Sequence, residues 1–160
     1  MASFAIYDPS KKPDADTAEQ LVDFLHRQLG EFGDSKADIA RCLDFAMGNL
    51  KRDTSGSAVV YKEADKILGA TIVNETGMSG YIPENILVYI AVHKDARGKG
   101  IGKIVMDKAA EIAEGDIALH VEADNPALHL YKKLGYTNDY LEMRLKNWTF
   151  DLVLKIDPCQ

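Results

Sequence analysis

The sequence predicts a mixed α/β fold of the α+β type, in which a twisted, mostly antiparallel sheet is flanked by helices. The chain has 160 residues, the size of one domain, so residues 1–160 are treated as a single unit. Helical periodicity in the first third changes after residue 56 to apolar runs typical of strands. Strand and helix patterns then alternate, which requires both hairpins and crossovers. We expect about six to seven strands and about four helices.

The first half contains one short extended segment, two amphipathic helices and a hairpin. The extended segment covers residues 4–7, and the first helix has apolar residues at helical spacing over 21–32. Asp16 or Thr17 is a suitable N-cap for that helix, and Ser35 is a suitable start for the second. A hairpin of residues 57–61 and 67–73 follows these helices.

The second half alternates strands and helices and closes with a predicted antiparallel hairpin. The expected segments are 86–92, 101–112, 117–121, 127–134, 141–145 and 150–156. The first of them is apolar throughout, as expected for a strand buried on both faces. The closing hairpin could supply an edge for a homodimer.

Composition and charge restrict the function classes. The longest apolar run, 86–92, is too short to cross a bilayer. The N-terminus has no basic cluster followed by an apolar segment, so we expect no signal peptide, no membrane partner and a cytoplasmic location. With 19 basic and 25 acidic residues the net charge is −6. This charge disfavours nucleic acid as a partner, because Lys and Arg supply most of the affinity for phosphates.

A glycine-rich turn joins the buried strand to the helix that follows it. The turn combines three cations with three alternating glycines, namely Arg97, Lys99, Lys103, Gly98, Gly100 and Gly102. The first amides of a helix lack intrahelical acceptors, and the helix dipole makes that end positive. Glycine removes the β-carbon that would keep an anion away. The turn therefore predicts a phosphate or pyrophosphate site, the alternative being a tight turn in which glycine only relieves crowding.

Two familiar nucleotide-binding patterns fit this turn poorly. A Walker loop would need Ser or Thr after Lys103 and Gly in place of Arg97, whereas Ile104 follows Lys103. A dinucleotide fingerprint would need a third glycine at position 103 or 105, which are Lys and Val. A nucleotide-binding protein is therefore a weak hypothesis for this chain.

The spacing Arg-x-x-Gly-x-Gly from Arg97 to Gly102 resembles the coenzyme A pyrophosphate loop of the GNAT N-acetyltransferases. The preceding residues 90–92 resemble the end of that family's fourth strand. Residues 127–136 are similar to its second signature, Ala-x-x-x-Tyr-x-x-x-Gly-Phe/Tyr. The resemblance covers residues 84–136, with two motifs in the family's order.

The resemblance implies acetyl-CoA as co-substrate and assigns residues to it. The backbone of Ile90 and Val92 would bind the acetyl carbonyl and the pantetheine arm where the fourth and fifth strands separate. Amides that would bind the pyrophosphate are those of Arg97, Gly98, Lys99, Gly100, Ile101 and Gly102. Asn125 would bind the pantetheine, although it lies six residues before Tyr131, whereas the family usually has seven. Asn125 followed by Pro126 is also a good helix start.

The implied reaction is direct transfer of the acetyl group to a primary amine within a ternary complex, without a covalent enzyme intermediate. Tyr131 would protonate the leaving thiolate, and Glu84 is the preferred base, with Glu122 or a water chain as alternatives. His120, Glu122 and Asp124 alternate along a strand, but we expect no metal. A non-catalytic acyl-CoA-binding or regulatory domain is the alternative function.

The acceptor is expected to be a small-molecule or peptide amine that is positively charged in solution. Four carboxylates fall in the regions that should shape the acceptor cleft, namely Asp44, Asp53, Glu75 and Glu84. Negative potential in a cleft raises the local concentration of cations. Three tyrosines could line the same cleft, namely Tyr81, Tyr89 and Tyr140.

Overall fold

Residues 1–145, which the computed structural model describes, form one sheet with helices on both faces. The elements are β1 (Ala2–Tyr7), α1 (Ala15–Leu29), α2 (Lys36–Ala46), β2 (Gly56–Glu63), β3 (Lys66–Glu75), β4 (Asn85–Val92), α3 (Ile101–Ile112), β5 (Ile117–Leu119) and α4 (Leu128–Lys133). The strands lie in the order β1-β2-β3-β4-β5. The first three pairings are antiparallel and the last is parallel. The predicted fold class is thus confirmed.

The sheet has five strands within these residues, slightly fewer than the six to seven expected. The difference comes from the closing hairpin, because residues 141–145 form no strand and residues 146–160 lie outside the described part. A homodimer through that hairpin stays a prediction. No helix within residues 1–145 is long and apolar enough to cross a bilayer.

The two N-terminal helices begin at side-chain caps. The Asp14 carboxylate accepts from the Thr17 amide at 2.7 Å, so α1 begins slightly earlier than the predicted cap at Asp16 or Thr17. The Ser35 hydroxyl oxygen accepts from the Asp38 amide at 3.2 Å and starts α2 where the sequence predicts. Such caps satisfy amides that the first turn leaves unbonded.

The sheet separates two apolar layers. One layer packs α1 and α2 against the sheet and includes Leu21, Leu25, Ile39, Leu43, Met47, Val60, Ala70, Ile72, Tyr89 and Ala91. The other layer lies under α3 and α4 and includes Val59, Val73, Leu87, Met106, Ala109 and Tyr131. Because strand side chains alternate between faces, β2, β3 and β4 each contribute to both layers.

A β-bulge interrupts β4 at Val88. Tyr89 pairs with Ile72 and Leu87 pairs with Val73, so Val88 is the extra residue. In a regular strand residues 87 and 89 would share a face, but here Leu87 packs under α3 and Tyr89 packs under α1 and α2. Bulges often occur next to functional sites, since they redirect backbone and side chains.

Candidate functional site

A slot opens along β4 where the neighbouring strand ends. β5 pairs with β4 only as far as Leu87, which lies opposite Leu119. The remaining residues of β4, from Val88 to Val92, have no strand beside them on that edge within the described chain. The pairing of the two strands therefore ends partway along β4, as the resemblance implied.

Backbone groups of β4 point into this slot. The His93 amide donates to the Leu68 carbonyl at 2.8 Å, so this pair is a hydrogen-bonded one. Hydrogen-bonded and non-hydrogen-bonded pairs alternate in an antiparallel ladder, and the register is unbroken back to the bulge. The N–H and C=O groups of Ile90 and Val92 therefore point away from β3 and toward the open edge.

The slot leads to the glycine-rich turn at the start of α3. Gly98 and Gly100 have φ of +74° and +79°, left-handed values that strongly favour glycine. A β-carbon built on either residue would meet no atom within 4 Å, so the space beside both is open. The Ile104 amide makes the first helical bond, to the Gly100 carbonyl at 3.1 Å, which leaves the earlier amides of the turn without intrahelical acceptors.

Gly102 has a different structural role from the other two glycines. A β-carbon there would lie 2.9 Å from Cδ2 of Leu130, so this glycine permits close packing between α3 and the segment that contains α4. The backbone amide of Gly102 is nevertheless part of the first turn of α3.

The cations of the turn are engaged with the protein itself. Arg97 donates from Nε to the Val92 carbonyl at 3.2 Å and from Nη2 to the Gln28 carbonyl at 2.9 Å. Lys99 donates to the Asp95 carbonyl at 3.0 Å, and Lys103 pairs with Asp107. The open amides therefore form the concave part of the site, and the cations add positive charge around it.

Gln28 at the end of α1 contributes to the turn, although no motif in the sequence marks it. Its side-chain oxygen accepts from the Lys94 amide at 2.9 Å, while its carbonyl accepts from Arg97. His93, whose ring stacks on Phe24 with 6.5 Å between centroids, adds a further contact between α1 and the turn. No local pattern predicts a contact between residues 66 positions apart.

Tyr131 is buried in the apolar layer under α3 and α4. It is 6% exposed and belongs to the same apolar cluster as Leu87, the last β4 residue that pairs with β5. The Tyr136 ring lies 5.9 Å away, centroid to centroid. Burial raises the pKa of Tyr131 to about 12, so its phenol is neutral at physiological pH.

The side chain of Asn125 stabilises the turn that leads into α4. Its Oδ1 accepts from the Ala127 amide at 2.9 Å. The sequence alternative, in which Asn125 caps the helix and Pro126 is its first residue, is wrong in detail, because α4 begins at Leu128 and its cap residue, Ala127, makes no side-chain cap bond. This bond uses only the oxygen of the side-chain amide, and Nδ2 is a separate donor.

Glu84 is held by backbone amides just before β4 begins. Its carboxylate accepts from the Asp116 amide at 2.8 Å and from the Gly80 amide at 3.3 Å. Hydrogen bonding, first of all from Asp116, lowers the pKa of Glu84 below its usual range. Six residues separate Glu84 from Ile90, roughly 20 Å along a strand. The structure therefore places Glu84 far from the slot-facing amide.

Of the four predicted acceptor-flank carboxylates, the structure brings two together. Glu75 and Glu84 line a groove of about 530 Å³ near the N-terminal end of β4, whereas Asp44 accepts from Asn49. Asp53 does not line that groove. Asp34, which no sequence pattern singles out, accepts from the Tyr89 hydroxyl at 2.6 Å across 55 residues.

The remaining sequence candidates do not gather at the slot. Tyr81 and Tyr140 are 81% and 88% exposed, while Tyr89 is buried. Within residues 1–145 no three His, Cys, Asp or Glu side chains come together as a metal site would need, and this applies to His120, Glu122 and Asp124.

Comparison with known proteins agrees with this geometry. The family model described as an acetyltransferase (GNAT) domain matches residues 54–138, more than half of the chain. An aminoglycoside acetyltransferase from an uncultured soil metagenomic sample is 20% identical, with a TM-score of 0.64 over 92% of this chain and 99% of that one. A ribosomal-protein-alanine N-acetyltransferase from Brucella melitensis is 17% identical, with a TM-score of 0.61 over 92% and 99%.

An aminoglycoside N-acetyltransferase solved with CoA has the same fold at lower identity. It is 10% identical, with a TM-score of 0.65 over 92% of this chain and 95% of that one. At such identities the solved structures establish a shared fold, and the family match covers both the slot and the turn. The chain belongs to the GNAT acetyltransferase family.

Proposed function

We propose that this protein transfers the acetyl group of acetyl-CoA to a primary amine in a ternary complex. One observation carries the proposal, namely that the outward-pointing backbone of Ile90 and Val92 leads directly into the open amides of the turn at Gly98 and Gly100. A ligand suited to this path has an anionic end and an extended arm of amides. Acetyl-CoA has both, with a thioester at the end of the arm.

The turn and the slot would divide the binding of this co-substrate between them. Amides from Arg97 to Gly102 would bind the pyrophosphate, and the Val92 backbone and Asn125 Nδ2 would bind the pantetheine. The Ile90 N–H would donate to the acetyl oxygen. In the transition state that oxygen gains negative charge, so a fixed amide donor lowers the barrier.

Tyr131 would act on the leaving sulfur. As the amine nitrogen bonds to the acetyl carbon, the carbon–sulfur bond breaks and the sulfur leaves as a thiolate. A phenol with a pKa of about 12 remains protonated and can donate a hydrogen bond to that thiolate. Since an ordinary thiol has a pKa of about 8.5, the bond stabilises the thiolate more readily than it transfers the proton completely.

The proton that the amine loses would go to water rather than directly to Glu84. The carboxylate of Glu84 already accepts from two amides, and its lowered pKa makes it a weaker base. We therefore propose that Glu84 mainly holds the turn before β4. Its role as a base, predicted from the sequence, is decided by the kcat of Glu84→Gln.

The acceptor would be a cationic small-molecule or peptide amine. The net charge of −6 favours approach of a cation, and Asp34 and Tyr89 place a carboxylate on the α1 and α2 side of β4. Two of the similar structures bear the names of aminoglycoside acetyltransferases, which act on polycationic amines. Nucleic acid would be a poor acceptor because its phosphates would meet an acidic surface.

The test separates the enzyme from a non-catalytic acyl-CoA-binding domain. Calorimetry with acetyl-CoA, CoA, ATP and NAD should show binding of the first two only. An acetyl-CoA consumption assay across polyamines, amino acids, aminoglycosides, peptides and tRNA, at two salt concentrations, should show turnover with a cationic amine that weakens at high salt. Binding without turnover on any amine would support the non-catalytic alternative, and faster acetylation of tRNA would contradict the electrostatic argument.

A further inference from the structure

A buried hydroxyl lies beside the slot-facing amide of β4. Thr71, in the middle of β3, is 0% exposed and is opposite Ile90 in the β3–β4 register. Its Oγ1 donates to the Tyr89 carbonyl at 2.7 Å. A polar side chain is costly in an apolar layer unless it is hydrogen-bonded, so this bond accounts for how Thr71 is tolerated there.

The bond acts on the same peptide unit that presents the Ile90 amide. The Tyr89 C=O and the Ile90 N–H belong to one planar peptide group and point in opposite directions. A hydrogen bond that holds the carbonyl toward β3 therefore holds the N–H toward the slot. It also polarises the peptide, which makes the N–H a stronger donor.

The peptide between Tyr89 and Ile90 lies beside both the bulge and the open edge of β4. It follows directly on the bulge at Val88, where the β3–β4 register shifts. Its other edge is open because β5 ends opposite Leu87. Within the described chain β3 is thus the only strand beside this peptide, and the Thr71 hydroxyl adds a second constraint on the Tyr89 carbonyl next to a locally disrupted ladder.

We propose that Thr71 is a positioning residue for acetyl transfer, which orients the Ile90 N–H toward the acyl oxygen through the Tyr89 carbonyl. The inference rests on the proposed function, because it requires the Ile90 amide to bind that oxygen. Thr71 itself touches neither substrate. Its effect is confined to ligands that carry the acyl carbonyl, so acetyl-CoA and free CoA should respond differently.

The experiment compares Thr71→Val, which removes the hydroxyl at nearly constant volume, with Thr71→Ser, which keeps it. A matched control is Val59→Ala, because Val59 is fully buried and lies opposite Thr71 on β2. For each protein, calorimetry gives Kd for acetyl-CoA and for CoA, and steady-state kinetics give kcat and the KM of the amine. Thermal unfolding reports any general loss of packing.

Thr71→Val should lower kcat about tenfold, less than the roughly 10²-fold or greater loss typical when such a donor is removed altogether. It should weaken acetyl-CoA binding about threefold relative to CoA, since one hydrogen bond is reoriented. The KM of the amine should not change. Thr71→Ser should restore both values, and Val59→Ala should lower Tm without changing the ratio of the two Kd values.

A Thr71→Val protein with a lower Tm but unchanged kcat and unchanged Kd ratio would overturn the inference and leave Thr71 a packing residue. If that variant does not fold, Thr71→Ala removes the same hydroxyl and is read identically. Failure of the proposed function looks different, because wild type would then not bind acetyl-CoA. If wild type binds it without turnover, the Kd ratio alone decides the role of Thr71.

Discussion

The two ends of β4 differ in whether their polar groups are hydrogen-bonded within the protein. At the N-terminal end, Asn85 is buried and its side chain donates to the carbonyls of Glu114 and Asp116 at 2.7 and 3.3 Å, while the nearby Glu84 accepts from backbone amides. At the C-terminal end, the N–H and C=O of Ile90 and the N–H of Val92 face an open edge, while the Val92 carbonyl accepts from Arg97.

This difference distinguishes a structural end from a binding end. Buried polar groups normally find partners within the protein, so groups that the fold leaves open are suited to a ligand. The N-terminal end closes the sheet against β5 and the loop before it. The C-terminal end and the turn after it remain open to a ligand, which under the proposed function is acetyl-CoA.

The largest expected effect comes from Tyr131, which belongs to the same apolar cluster as Leu87, the last β4 residue that pairs with β5. Tyr131→Phe keeps the ring and its packing but removes the hydroxyl that would stabilise the leaving thiolate. Turnover should fall about 10²-fold or more, while the Kd of acetyl-CoA stays near that of wild type. Single-turnover kinetics with calorimetry would measure both.

An unchanged kcat, with the chemical step rate-limiting, would show that Tyr131 only packs the apolar layer. Tyr136→Phe is a matched control, since the two rings are neighbours and both phenols have raised pKa values caused by burial. That control should keep most of the activity.

The second-largest effect is expected on acetyl-CoA binding at the turn that follows the C-terminal end of β4. Gly100→Glu places a side chain and a negative charge in the open space beside the turn, at φ of +79°. Binding of acetyl-CoA should weaken at least tenfold, equivalent to about 1.4 kcal/mol. Calorimetry on the folded variant gives the measurement.

The chain offers a close control at the opposite end of β4. Gly80 has φ of +76°, and a β-carbon there would also meet nothing within 4 Å. Gly80→Glu therefore introduces the same strain and charge away from the turn, and it should leave acetyl-CoA binding unchanged. Equal effects of both substitutions would mean that binding does not depend on the turn.

The smallest effect on catalysis is expected at Glu84, just before the N-terminal end of β4. Glu84→Gln should change kcat less than about threefold, whereas loss of a true general base typically costs 10² or more. The pKa of Glu84 is lowered in the folded protein, so its contribution to stability is present above its usual pKa and is lost as the pH falls below it.

Acid unfolding monitored by circular dichroism tests that second expectation. Wild type should lose stability on acidification more steeply than Glu84→Gln, because the variant has no carboxylate at position 84 to protonate. If kcat instead falls by 10² and its dependence on pH changes, Glu84 is the base that the sequence predicted, and the two ends of β4 are both functional.

Local features of this protein were determined by the sequence alone. Periodicity located the helices and most strands, the capping residue Ser35 located the start of α2, and alternating glycines marked the turn before α3. The motif that contains Tyr131 is also local, because it spans only residues 127–136. Such features are predictable because backbone propensity, capping and glycine geometry act over short stretches of chain.

Only the tertiary structure decided how distant segments support the slot. The bulge at Val88, the bond from Thr71 to the Tyr89 carbonyl and the contact of Gln28 with Arg97 each depend on strand register or helix placement. A shift of one residue in register would move every side chain of a strand to the other face. The motifs therefore predicted which segments form the candidate site. The packing of segments far apart in the chain determined which backbone groups that site presents.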